Sequence, residues 1–266
     1  MPAATTHVEF ARDVYYALPC EVRLSIHSMN LYFLGSQGPD FLFYHRFSAL
    51  PGTLKPVGNQ MHDEKQQEVI AFLHEYCERN PSLHDYYLGF LTHYCLDSTC
   101  HPLINAEAHR RHEETGTHEG AAHVRVEAEL DVQVLKDHGR NADSYDVYKD
   151  LKVSDQEKKE LGWMYHLLFL EVFRKEIDEK LIEGAVKDTP LMLRLLAPSK
   201  GKYRFAYNME NLMHQPHGVS GLMLVDTQDP SIMEDFRRLY QEALQKSLRV
   251  MQKYDPQEFT LNFVGE

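Results

Sequence analysis

Residues 93–101 read HYCLDSTCH and residues 123–127 read HVRVE. On a helix His93, Asp97 and His101 stand four apart and form one stripe that drifts by about 40° per step. His123 and Glu127 repeat the spacing on a second predicted helix. An imidazole and a carboxylate at i and i+4 project from adjacent turns of one face and can share a cation. Five such groups so close in the chain point to a metal centre with more than one ion.

A solvated face is a poor alternative for the first stripe. Its neighbours Phe90, Leu91, Tyr94, Leu96 and Leu103 are apolar, and ionisable groups in an apolar helix have to be paired or metal-bound. Pro102 disfavours helical backbone at His101, so the stripe is expected to bend there and let His101 face a different ion from His93. Cys100 would project close to His93 and could offer a thiolate, although a buried small residue is the plainer reading. Cys95 points away, toward the core. His109, His112 and His118 fall in a polar stretch read as solvated, and His214 and His217 as surface residues with no nearby carboxylate.

These groups need helices to hold them. Apolar residues recur at helical spacing from His7 to about Leu34, interrupted by Pro19. A loop is expected from Gly35 to about Gln60, carrying Asp40, and then a helix from His62 to about Arg79. Asn80-Pro81-Ser82 breaks that helix, with Ser82 as the expected N-cap of the next. The helix running to Pro102 is apolar nearly all round and should be central. Residues 106–120 read as a loop, and helices are expected over 123–136, 154–183 and 231–253. Almost nothing alternates with period two. The expected fold is all-α: one domain over residues 1–266, with seven to nine helices.

The chain has 266 residues, 43% of them hydrophobic, sixteen histidines and a formal net charge of −12. That charge argues against duplex nucleic acid as a partner. There is no 18-residue apolar run, so no transmembrane segment is expected, and no secretory signal is visible in MPAATTHVEF. Four irregularly spaced cysteines suggest reduced thiols, and the expected location is cytoplasmic.

In chain order His7, Asp40, His62, His93 with Asp97, His101, and His123 with Glu127 resemble the zinc-dependent phospholipase C family, the catalytic domain of bacterial phospholipases C and alpha-toxins. GSQGPDFLFYH and YYLGFLTHYCLD resemble its intracellular-type members, and the similarity covers about residues 7 to 137. The resemblance implies a site of two or three zinc ions, with a ligand set that iron or manganese also suits. His62, His93 and Asp97 would hold one ion. His101, His123 and Glu127 would hold a second, and Asp97 would reach a third held partly by His7. Asp40 would serve as general base or orienting group for a metal-bridging hydroxide attacking a phosphodiester, phospholipid or headgroup-like.

The chain departs from secreted members, whose N-terminal tryptophan ligates the third ion. Here six residues precede His7, and His45 is a candidate to complete that set. Phe41 replaces the tyrosine of choline-binding members, so choline preference is not implied.

Three alternatives compete. A single-strand nuclease would need stacking aromatics, for which Phe43, Tyr44 and Tyr86 are candidates. An HD-type phosphohydrolase would use Asp63 beside His62 as a ligand. A metal-binding interaction protein would have lost catalysis. The sequence leaves the oligomeric state open.

Overall fold

The computed structural model describes residues 4–48, 52–215, 217–227 and 230–266. Among these the chain is helical, with no strand. The α-helices are α1 (Ala4–Ala17), α2 (Cys20–Leu24), α3 (Met29–Gly35), α4 (Lys55–Asp63), α5 (Gln66–Arg79), α6 (His84–Thr115), α7 (Glu119–Asp137), α8 (Asp155–Phe173), α9 (Glu179–Leu196), α10 (Lys200–Leu212), α11 (Gly218–Gly221) and α12 (Met233–Gln252). A 3-10 helix spans Gly38–Ser48. The expectation of seven to nine helices matches the longer ones; α2, α3, α4 and α11 are short additions.

The apolar run on either side of His93 makes α6 the axis of the fold. It packs against α1, α3, α5, α7 and α12, and Phe90, Leu91, Tyr94 and Cys95 on it are fully buried. The approach of α3 is close because glycines face each other's backbone. A Cβ on Gly89 would lie 1.9 Å from the Tyr32 carbonyl oxygen, and one on Gly35 would lie 2.1 Å from that of Tyr86. At the start of α6, Asp85 accepts backbone N–H bonds from His27 and Ser28, tying the loop before α3 to the axis.

Several boundaries differ from expectation for identifiable reasons. The described residues between Gly35 and Gln60 are largely helical: Asp40 lies on the 3-10 helix, and α4 starts at Lys55 with Pro56 in its first turn, where the missing N–H costs nothing. The helix expected from His62 is split at Lys65, which adopts a left-handed backbone between α4 and α5. Ser82 is no N-cap; residues Pro81–Leu83 form a 3-10 turn that runs directly into α6.

The helix does not end at Pro102 but continues to Thr115. The polar stretch is held helical by pairs at i+3 and i+4: Arg110 and Arg111 both bind Glu107, and Arg110 also binds Glu114. Gly116, with φ of 70°, ends it.

The segment 154–183 is two helices. Ser154 and Glu157 form a reciprocal capping box at the start of α8. Arg174 closes α8 in a left-handed conformation, and the Asp178 side chain caps α9.

No helix among the described residues is long and apolar enough to cross a membrane.

Candidate metal centre

Five elements deliver the candidate ligands. Helix α1 carries His7, the 3-10 helix carries Asp40, α4 carries His62, α6 carries His93, Asp97 and His101, and α7 carries His123 and Glu127. All are buried except His62 and His123, which are half-buried and form the rim of the centre.

The tertiary fold gathers them into three sets. Ligand atoms of His62, His93 and Asp97 lie within 4.8 Å of one another, as do those of His101, His123 and Glu127, and those of His7, Asp40 and His93. Asp97 uses both oxygens. Its Oδ1 is 3.2 Å from His7 Nε2, and its Oδ2 is 3.2 Å from His93 Nε2. Glu127 Oε1 is 3.2 Å from His123 Nε2 and 3.5 Å from His101 Nε2. His62 Nε2 is 2.9 Å from Asp40 Oδ1. A small cavity of about 10 Å³ is bordered by His7, Asp97, His101 and Glu127.

The helix runs unbroken through Pro102, and His101 faces a different set from His93. Helical geometry is enough for this: eight residues carry it about 12 Å along the axis and about 80° around it. One continuous helix therefore serves two sets.

Backbone carbonyls fix which ring nitrogen faces inward. His62 Nδ1 bonds Gly58 O at 2.8 Å, His93 Nδ1 bonds Ser36 O at 3.2 Å, and His101 Nδ1 bonds Phe263 O at 2.7 Å. With the Nδ1 proton donated to a carbonyl, the neutral ring turns an Nε2 lone pair toward a carboxylate. Two acceptors about 3 Å apart need a proton or a cation between them. Buried His93 Nε2, His7 Nδ1 and Asp40 Oδ1 have no hydrogen-bond partner. Tetrahedral zinc with bonds near 2.0–2.1 Å sets its ligand atoms about 3.3 Å apart. The donor set therefore fits zinc in both spacing and chemistry.

The electrostatics agree. Burial, with the neighbouring His7 and His62, pushes His93 down to about 3, so its ring is neutral. His101 goes the other way, to about 9: Asp97 and Glu127 overcome the cost of burying its cation. His7 is raised against the same burial cost by Asp97. Asp97 is held below the usual carboxylate range, because nearby imidazoles outweigh a burial that favours the neutral acid. Asp40 is held below that range too, against the same burial cost, by the N-terminal ammonium and then by His62 and His93. Protons on the histidines supply positive charge that a dication would supply instead.

Several residues have roles the sequence reading missed. The closing segment lies across the centre. Phe263 packs against the rings of His62 and His93, its carbonyl holds His101, and its N–H bonds the His62 carbonyl at 3.3 Å. Nothing in the local sequence of residues 259–263 predicted the carbonyl contact. Asp131 extends the His123–Glu127 stripe by another four residues, a spacing that could have been read. It accepts both the Thr6 N–H at 2.8 Å and the Thr6 hydroxyl at 2.6 Å, anchoring the turn that carries His7. Burial and the Glu127 charge raise Asp131 to about 7. Gly38 has φ of 50°, and a Cβ there would lie 2.0 Å from the His93 ring.

Other candidates fall elsewhere. His45 is buried beside Gly184 on α9 and belongs to none of the three sets. Cys100 borders the small cavity, but burial and Asp97 push its thiol well above the ordinary value. Cys95 is core. His109 and His112 are solvated, though on the outer end of α6 rather than in a loop, and His118 precedes α7. His217 stacks on Tyr207 and has Glu210 at 3.6 Å, a carboxylate the sequence did not place there.

The features needed by two alternatives are displaced. Asp63 is exposed and joins no ligand set among the described residues. Phe43, Tyr44 and Tyr86 are buried, so they offer no stacking platform, and Tyr86 is bonded to the Tyr165 hydroxyl at 2.6 Å. Phe41 packs edge-on against Tyr165 in the core.

A family model described as zinc dependent phospholipase C matches residues 6–173, a span that contains every candidate ligand. No curated protein and no solved structure matches the chain.

Proposed function

We propose, since this chain belongs to the zinc-dependent phospholipase C family, that it is a metal-dependent phosphoesterase cleaving a phosphodiester of the phospholipid or headgroup type. One observation carries the reading: inward-facing Nε2 atoms stand about 3 Å from buried carboxylate oxygens, with the other ring nitrogens of His62, His93 and His101 already committed to carbonyls.

His62, His93 and Asp97 would hold one zinc and His101, His123 and Glu127 a second. His7 would hold a third, with Asp97 reaching it through Oδ1 and with Asp40 or His93 at hand. Zinc in such a site lowers the pKa of coordinated water and neutralises charge on phosphoryl oxygens. Asp40 is ionised and acceptor-only. A base so weak is better suited to orienting a water proton than to removing it unaided. His62 and His123, half-buried, are the two candidate ligands most open to an incoming diester.

The test combines elemental analysis of protein purified without added metal with hydrolysis of p-nitrophenylphosphorylcholine, bis-p-nitrophenyl phosphate and single-stranded DNA. Two or three ions per chain with diester turnover is the expected result. Bound zinc with no ester hydrolysed would leave a metal-binding protein without this activity, and a preference for DNA would favour the nuclease.

A further inference from the structure

Away from the metal centre, the end of α9 and the whole of α10 combine two surface properties. Residues 187–204 carry Lys187, Arg194, Lys200, Lys202 and Arg204 against one acid, Asp188. The local charge is +4 in a chain of −12. Asp188 is occupied by the Arg46 backbone N–H. Beside this charge stands an apolar stripe. Phe205, Met209 and Leu212 recur at i, i+4 and i+7 on α10 and so share a face. Phe205 is 70% and Leu212 73% exposed. The other side of α10 is the one the fold uses: Glu210 is buried and accepts the N–H groups of Val219 and Ser220.

The position of α10 matters as much as its composition. Lys202 Nζ donates to the carbonyls of Arg194, Leu195 and Ala197, which fastens the start of α10 to the end of α9. Tyr203 and Tyr207 of α10 line a cavity of about 350 Å³ whose opposite wall includes Ala121, Ala122 and Arg125 of α7. Ala121 and Arg125 stand two residues either side of His123, so on α7 they face away from it. The helix with the apolar stripe thus borders the side of α7 opposite His123, a helix that delivers two candidate ligands.

We propose that the exposed face of α10, with the cations at the end of α9, docks the protein on an anionic phospholipid bilayer. An amphipathic helix with apolar residues on one face and cations beside them seats at the boundary between headgroups and acyl chains, and anionic lipid attracts the cations. A second copy meeting this face symmetrically would bring two like-charged segments together. As a device for reaching substrate, the docking rests on the phospholipid reading above; as a binding event it is measured separately.

The experiment uses the full chain with vesicles of phosphatidylcholine alone and of phosphatidylcholine mixed with phosphatidylglycerol, scored by co-sedimentation. Wild type should pellet with the mixed vesicles only, and less so as salt is raised. Phe205→Ser with Leu212→Ser should weaken this about tenfold or more. Each of Arg194→Gln, Lys200→Gln and Arg204→Gln should weaken it about fivefold. All variants should keep the wild-type rate on water-soluble p-nitrophenylphosphorylcholine. Equal binding to both vesicle types, wild-type binding by the variants, or a dimer that these substitutions dissolve without any vesicle binding would each overturn the proposal. Vesicle binding by a wild type that hydrolyses no ester would sustain the docking and defeat the phosphoesterase reading.

Discussion

Nε2 of His62 lies 2.9 Å from Oδ1 of Asp40, while the other ring nitrogen of His62 is committed to the Gly58 carbonyl. The contact joins a residue on α4 to one on a 3-10 helix, at the half-exposed edge of an otherwise buried cluster. If Asp40 orients the attacking water, Asp40→Asn should lower kcat by about 10²–10⁴. Zinc content by elemental analysis should fall by no more than the third ion. Unchanged kcat in a fully loaded variant would remove Asp40 from the chemistry.

Glu127 offers one oxygen to both His101 and His123. Glu127→Gln should reduce the zinc-to-chain ratio by one and leave the set around His93 loaded. Chelation of the wild type should also lower Tm, because ions bound only to the folded state stabilise it, by about 2.7 kcal/mol at a hundred times Kd. A variant that retains every ion would break the assignment of the second set.

Phe263 holds His101 through its carbonyl rather than its side chain. Removing residues 261–266 should therefore weaken zinc binding at the second set by about 10–100-fold. Phe263→Leu, which keeps the carbonyl, should cost stability with a much smaller loss of affinity. Equal losses in the two variants would show that packing, not the hydrogen bond, is what matters.

Gly38→Ala tests how tightly His93 is confined. The added Cβ would meet the ring at 2.0 Å, and the backbone has φ of 50°. Left-handed strain and the overlap together should destabilise the protein by about 1–3 kcal/mol. They should also release zinc from the set that includes His93. Calorimetry with elemental analysis reads both effects, and an unperturbed variant would mean that the ring moves freely.

Outside the three ligand sets, His138 Nε2 is 3.0 Å from Asp13, which also accepts from the Tyr240 hydroxyl; Glu9 is a further nearby charge. Burial alone would lower the His138 pKa, but the Val134 carbonyl and Asp13 raise it. A raised folded value means that the folded state holds the proton more tightly. The stabilisation is therefore full below about 6.5, the unfolded value, and is lost as pH rises through the folded value. His138→Gln should lower Tm at pH 5.5 and change it less at pH 8. A pH-independent difference would contradict the linkage.

Much of the chemistry was readable without coordinates. The i, i+4 spacing of His93, Asp97 and His101, set in an apolar run, demands a central helix with paired or metal-bound polar groups, because buried charge is costly alone. The second pair, His123 and Glu127, follows the same local rule. The all-α class follows from the absence of period-two alternation. The polar end of α6 was misread because polarity suggested a loop, whereas the Glu107, Arg110, Arg111 and Glu114 pairs sustain a solvated helix.

Periodicity is local, and what it determined here is which side chains share a helix face. Contacts across the chain were decided by packing. The sequence alone could not show that Asp97 turns one oxygen to His7 and the other to His93, that a carbonyl 162 residues away orients His101, or that Asp131 anchors the turn before His7. Each depends on where α1, α7 and the closing segment settle against α6. That settlement comes from side-chain volume and from glycine-permitted approach, which no spacing along one strand of sequence encodes.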